Sequence, residues 1–198
     1  MSAETALVES FGGEWSHDDA IGLVGQGLWH SARILQARGV QLSEDEIINT
    51  LTDRVKELVQ IEVPWRPGAL ELLRASHELG TPMALVTMSL RSLAELVAEN
   101  IGFDAFAAIV SGDDVQHSKP HPEPYLTGAA LLGVSAKDCV AFEDSGPGLA
   151  SAVASGAVSI GVPHMVSLEP GPTHTIWDSL LGRTPLDVAE VFARSTSS

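Results

Sequence analysis

A chain of 198 residues with a formal net charge of -15 and 44% hydrophobic residues is long enough to bury a sizeable core and to carry a smaller appended module. Its acidity, with a pI near 4.6, repels polyanions and anionic membrane surfaces, which argues against nucleic-acid and membrane partners. A small phosphorylated metabolite stays compatible, because local cations and a metal ion can reverse the field inside a pocket. The single cysteine, Cys139, admits no intrachain disulfide, and the apolar segments are broken by Gly and Pro before the roughly 18 residues of a membrane span, so a cytoplasmic protein is expected.

Residues 1 to about 62 read as helices, with apolar positions at helical spacing in "LWHSARILQARGV" and "EIINTLTDRVKELVQI". Capping-box pairs at Ser16 with Asp19 and at Ser43 with Glu46 mark two helix starts. From "VPWRPGALELLRASHELG" the pattern changes, with Pro67 placed to open a helix and Gly80 to close it. Strands are then expected at 83–88, 107–112, 139–144 and 158–163, separated by helices. Near-continuous apolar strands alternating with helices predict an α/β fold with a doubly wound parallel sheet. The boundary falls near Val63, giving a helical module over 1–63 and an α/β domain over 64–198. Residues 164–185 are expected to wrap the surface, and the closing "ARSTSS" to fray.

In open parallel sheets ligands bind beyond the carboxyl ends of the strands. The first strand delivers Thr87, followed by Met88 and Ser89; the second is followed by Asp113, Asp114 and the loop "HSKPHPEPY" around Lys119; the third ends on Glu143 and Asp144. Adjacent carboxylates repel, and ending a buried strand on both costs free energy unless a cation compensates. A hydroxyl with the amides after Thr87 can hold phosphate oxygens, Lys119 can neutralise negative charge, and Asp144 can bind Mg²⁺, a hard cation that takes oxygen ligands. Those are parts for phosphoryl transfer. His117 and His121 flank Lys119 at i, i+4, but Pro120 and Pro122 prevent the helix that would align them on a metal, so no ligand role is expected for them.

"ALVTMS", "SKPHPEPY" and "CVAFEDSGPGLASAVASG", in this order, closely resemble the second, third and fourth motifs of the haloacid dehalogenase superfamily. The likeness is strongest to its phosphoglycolate-phosphatase and β-phosphoglucomutase-like branch. The resemblance implies a Rossmann-like core with a helical cap, and a Mg²⁺-dependent phosphomonoester hydrolase acting through an aspartyl-phosphate intermediate; a sugar-phosphate mutase would share these motifs. It assigns Thr87 to the transferring phosphoryl group and Lys119 to the charge of phosphate and nucleophile. Asp144 becomes the direct Mg²⁺ ligand, with Glu143 beside it reaching the metal through water or steadying its shell. The stretch "LVGQGLWHSARIL" resembles the part of the cap that closes over the site, so Trp29, His30 and Arg33 are the candidates for substrate choice.

The superfamily's first motif, an apolar strand ending Asp-x-Asp-Gly-Thr that supplies the nucleophile, does not occur in the sequence. The expectation is an enzyme lacking roughly its first twenty residues, with the first strand of the sheet missing and the chain as given inactive. The alternative is a short non-catalytic product that binds phosphate or a partner protein.

Overall fold

Hydroxyl caps and apolar stripes build the first third of the chain as four helices: α1 (Ser2–Ser10), α2 (His17–Gly22), α3 (Leu28–Ala37) and α4 (Glu44–Ile61). The structure is a computed structural model and describes residues 2–196. Ser16 and Ser43 each accept the N–H of the third helical residue while the Asp19 and Glu46 carboxylates accept the cap's own N–H, so both capping boxes form. The apolar stripes converge on a separate core that includes Val8, Trp15, Ala32, Leu35, Ile47 and Ile48.

The remainder alternates helices and strands: α5 (Ala69–Glu78), β1 (Ala84–Val86), α6 (Arg91–Glu99), β2 (Ala108–Val110), α7 (Glu123–Leu131), a 3-10 turn (Ala136–Asp138), β3 (Val140–Glu143), α8 (Gly146–Ser155), β4 (Val158–Gly161), β5 (His174–Ile176) and α9 (Pro185–Thr196). All four expected strands are present and pair in parallel, shorter at their ends than the apolar runs. They form two sheets. β1 pairs with β2, Val86 opposite Val110, and β3, β4 and β5 follow in that order, with Glu143 opposite Gly161 and Gly161 opposite Ile176.

No ladder joins β1 to β3 among the described residues. What links the two sheets is a pair of helices, α7 over β1 and β2 and α8 over β3 and β4, packed against each other. Side chains along β3 alternate between two cores. Val140 packs with Ile160, Val162, Trp177 and Val191 toward α9, whereas Ala141 packs with Ala152 and Ala157 on the α8 side. α6 meets α4, and Leu90 at its start packs against the helical core, which seats the first four helices on the α/β region.

Three expectations need correction. Pro67 does not begin α5, because Gly68, with φ +83°, caps it and the helix starts at Ala69. Residues 164–185 do more than wrap the surface: His174–Ile176 add β5 to the free edge of β4. The closing residues are helical through Thr196, and Ser197 and Ser198 lie outside the described residues. No described helix is long and apolar enough to cross a membrane.

Candidate active site

A cleft of about 620 Å³ opens between the ends of β1 and β3, lined by Thr87, Met88, Ser89, Lys119, Glu143 and Asp144 among others. Six of the eight residues expected at or after the strand ends therefore meet in one place, and Asp113 and Asp114 do not line it. Lys119 is buried, 8% exposed. Its Nζ donates to the Val86 carbonyl at 3.0 Å and to Glu143 Oε1 at 2.5 Å, reaching from the end of β1 to the end of β3. The Lys119 backbone N–H points at Met88 Sδ, 3.5 Å away.

Alternation along β3 explains Glu143. Two residues beyond Ala141, it faces α7 and α8, where Tyr125 donates its hydroxyl to the same Oε1 that takes the lysine. Burial and the charge of Glu143 push the Tyr125 phenol well above its ordinary value, so it stays a neutral donor. The Gly-Pro-Gly run follows from this contact. A Cβ on Gly148 would lie 2.0 Å from Glu143 Oε2, so only glycine lets the first turn of α8 close over the carboxylate. Pro147 sits in that first turn, and Ser145 caps it by accepting the Gly148 N–H at 3.2 Å.

The two adjacent acids stand in different surroundings. Glu143 is buried and held by Lys119 and Tyr125, while Asp144 is exposed on the cleft and has no hydrogen-bond partner among the described residues. Tyr125 closes the "SKPHPEPY" motif, yet the sequence alone assigns it no role. Its signal is a phenol near the start of α7, close enough in sequence to share the lysine's surroundings.

On the β1 side, the Thr87 N–H donates to Val110 O at 2.8 Å, and its Oγ1 accepts the Ser89 N–H at 3.1 Å. The hydroxyl proton stays free to donate. Asp113 and Asp114 serve the scaffold instead. Asp113 accepts the Arg91 N–H at 2.9 Å, and Asp114 accepts from Ser111 N at 2.8 Å, from the Ser111 hydroxyl and from Arg91 Nη2 at 2.6 Å. Desolvation raises the Asp114 pKa, but the hydrogen bonds from Ser111 and the Arg91 charge outweigh it and hold the carboxyl below its usual range. These acids tie β2 to the start of α6.

The loop between α2 and α3 lies on the core. A Cβ on Gly25, whose φ of +77° already favours glycine, would sit 2.5 Å from Ser145 Oγ, and one on Gly27 would sit 2.5 Å from Ser118 Oγ. A second cavity of about 280 Å³ is lined by Trp29, His30 and Arg33 and shares Leu28 and Met88 with the cleft. Trp29 Nε1 donates to Asp45 at 3.1 Å, and the Arg33 guanidinium stands 4.0 Å from Glu44 with 61% of its side chain exposed.

The haloacid dehalogenase-like hydrolase profile matches residues 4–156. Hexitol phosphatase B of Escherichia coli (strain K12) is 35% identical over 122 residues, covering 61% of this chain and 55% of that protein. The crystal structure of CbbY from Rhodobacter sphaeroides in complex with phosphate superposes with a TM-score of 0.81 at 25% identity, covering 91% of this chain and 87% of the other. β-Phosphoglucomutase from Clostridium difficile shares the fold, with a TM-score of 0.84 at 22% identity, and covers 100% of this chain and 91% of that one. The chain spans about half the length of the curated relatives it matches. With residues of all three motifs gathered on one cleft and the profile covering most of the sequence, the chain belongs to the haloacid dehalogenase-like hydrolase family.

Proposed function

We propose that the chain carries the phosphate-binding, metal-binding and substrate-selecting parts of a Mg²⁺-dependent phosphomonoester hydrolase acting on a small phosphorylated metabolite. The carrying observation is Lys119, buried across the gap between β1 and β3 and placed beside Thr87 and Asp144 on one cleft. Relatives named as sugar-phosphate or polyol-phosphate phosphatases support the substrate class. In this reading residues 1–63 act as a cap over 64–198, and the attacking carboxylate comes from an extended segment seated between β1 and β3.

Thr87 Oγ1–H and the backbone of Met88 and Ser89 orient the phosphoryl oxygens, and the buried Lys119 offsets the charge of phosphate and attacking carboxylate. The donor set fits a hard dication, because Asp144 presents an unpaired carboxylate to the cleft and Mg²⁺ is commonly held by one or two carboxylates with substrate oxygens and water. When bound, the ion would supply positive charge to the phosphate. Glu143 serves here by fixing Lys119.

The test uses a fusion that places a strand ending Asp-x-Asp-Gly-Thr ahead of Ser2. In it, Asp144→Asn is expected to lower turnover about a hundredfold or more and to raise the Mg²⁺ concentration needed for half-maximal rate. Activity within a few-fold of the parent would make Asp144 a structural residue. In the same fusion, His30→Ala with Arg33→Ala is expected to change relative kcat/KM among phosphorylated sugars by roughly tenfold, since both line the cavity that continues the cleft. An unchanged profile would remove that cavity from substrate choice.

A further inference from the structure

We propose that His117, His121 and Glu123 bind one transition-metal dication of the Zn²⁺ type, at a site separate from the hard-cation position at Asp144. The prolines that exclude a helix here do not keep the histidines apart. A turn closed by the His121 N–H on Ser118 O at 3.1 Å folds the segment back, and the two imidazoles stack with centroids 4.5 Å apart and planes at 32°. Glu123, at the start of α7, reaches the same place, with Oε2 2.7 Å from His117 Nδ1 and 3.9 Å from His121 Nδ1.

One nitrogen or oxygen from each of the three lies within 4.8 Å of the other two. Around zinc, with bonds of about 2.0–2.2 Å, tetrahedral ligand atoms stand about 3.3–3.5 Å apart. The spacings on either side of that value can be closed by rotating the two histidines, whose side chains are 60% and 50% exposed. Glu123 needs no such search. Its carboxylate accepts the N–H groups of Gln116 at 2.8 Å and His117 at 2.9 Å, which orient it and favour its ionised form. The ion would displace the His117–Glu123 hydrogen bond and compete with the Glu123 N–H for His121 Nδ1, now 3.2 Å away.

Two imidazoles and one carboxylate suit Zn²⁺, Ni²⁺ or Cu²⁺ and poorly suit Mg²⁺, which prefers oxygen throughout. Exposure leaves the remaining coordination positions to water. Both histidines flank Lys119 in the chain, so an occupied site would stiffen the loop that presents the lysine. The inference does not depend on the proposed hydrolase activity.

The probe is Zn²⁺ itself, titrated calorimetrically into the fusion that carries the added N-terminal strand, with excess Mg²⁺ present to fill any hard-cation position. One ion per chain is expected to bind, and His117→Ala with His121→Ala is expected to weaken it by about tenfold or more, while Asp144→Asn leaves it unchanged. Both histidines are exposed, so the double variant keeps its core. Absent binding, a double variant that binds within a few-fold of the parent, or loss of binding in Asp144→Asn would each overturn the site.

Discussion

Lys119→Met is expected to lower the thermal midpoint by roughly 10 °C. The side chains of Lys119 and Glu143 are each only 7% exposed and lie 2.5 Å apart, and removing one member of a buried pair leaves an uncompensated charge at a cost of about 3–5 kcal/mol. A chain of this size loses about 2–4 °C per kcal/mol. The Tyr125 hydroxyl still donates to Glu143 in the variant, but a neutral donor cannot replace an ammonium. Adding Glu143→Gln removes the stranded charge while keeping an acceptor for Tyr125, so the double variant is expected to recover a large part of the loss. Thermal unfolding of the two single variants and the double, each in the fusion that carries the added N-terminal strand, gives the coupling directly. A Lys119→Met protein as stable as the parent, or a double variant no better than the single, would show that the pair contributes packing rather than charge compensation.

The cleft was legible where sequence order and strand ends coincide. Thr87 and Asp144 lie at the ends of apolar runs, which a parallel sheet brings to one rim, whereas Lys119 reaches the same rim from the loop that follows β2. Glu143 was legible as unusual but not in its role, because its direction depends on which face of β3 meets α8, and that is decided by Ala141 and Gly148. β5 carried no signal of its own: three residues near two prolines become a strand only because β4 offers a free edge. A helix is the wrong frame for His117 and His121. Its absence is real, whereas a turn supplies the proximity. Periodicity reads elements well and reads contacts made by loops poorly.

The chain of 198 residues alone is expected to show negligible phosphomonoester turnover with Mg²⁺ and to unfold at low temperature or aggregate. Turnover is expected to fail because none of the described carboxylates at the strand ends is placed to attack: Asp113 and Asp114 are committed to Arg91 and Ser111, Glu143 to Lys119 and Tyr125, and Asp144 is the proposed metal ligand. Stability fails for a separate reason. β1 and β3 each leave one backbone edge without a ladder partner among the described strands, and Phe142 is 37% exposed in the middle of a parallel strand, where both faces are normally covered. A six-residue apolar strand filling that gap would bury several large side chains at about 1.5–3 kcal/mol each, on the order of 10 kcal/mol in total, against about 5–15 for a whole domain. The measurement compares residues 1–198 alone with the same chain carrying an N-terminal strand ending Asp-x-Asp-Gly-Thr, by thermal unfolding and by hydrolysis of a generic phosphomonoester. The fusion is expected to unfold cooperatively at higher temperature and to turn over substrate. Changing its first Asp to Asn is expected to abolish turnover while keeping the added stability, which separates the effect of the attacking carboxylate from that of the added strand. A cooperative monomer of 1–198 hydrolysing substrate at ordinary enzymatic rates would refute both halves, and would require an attacking group that none of these contacts reveals.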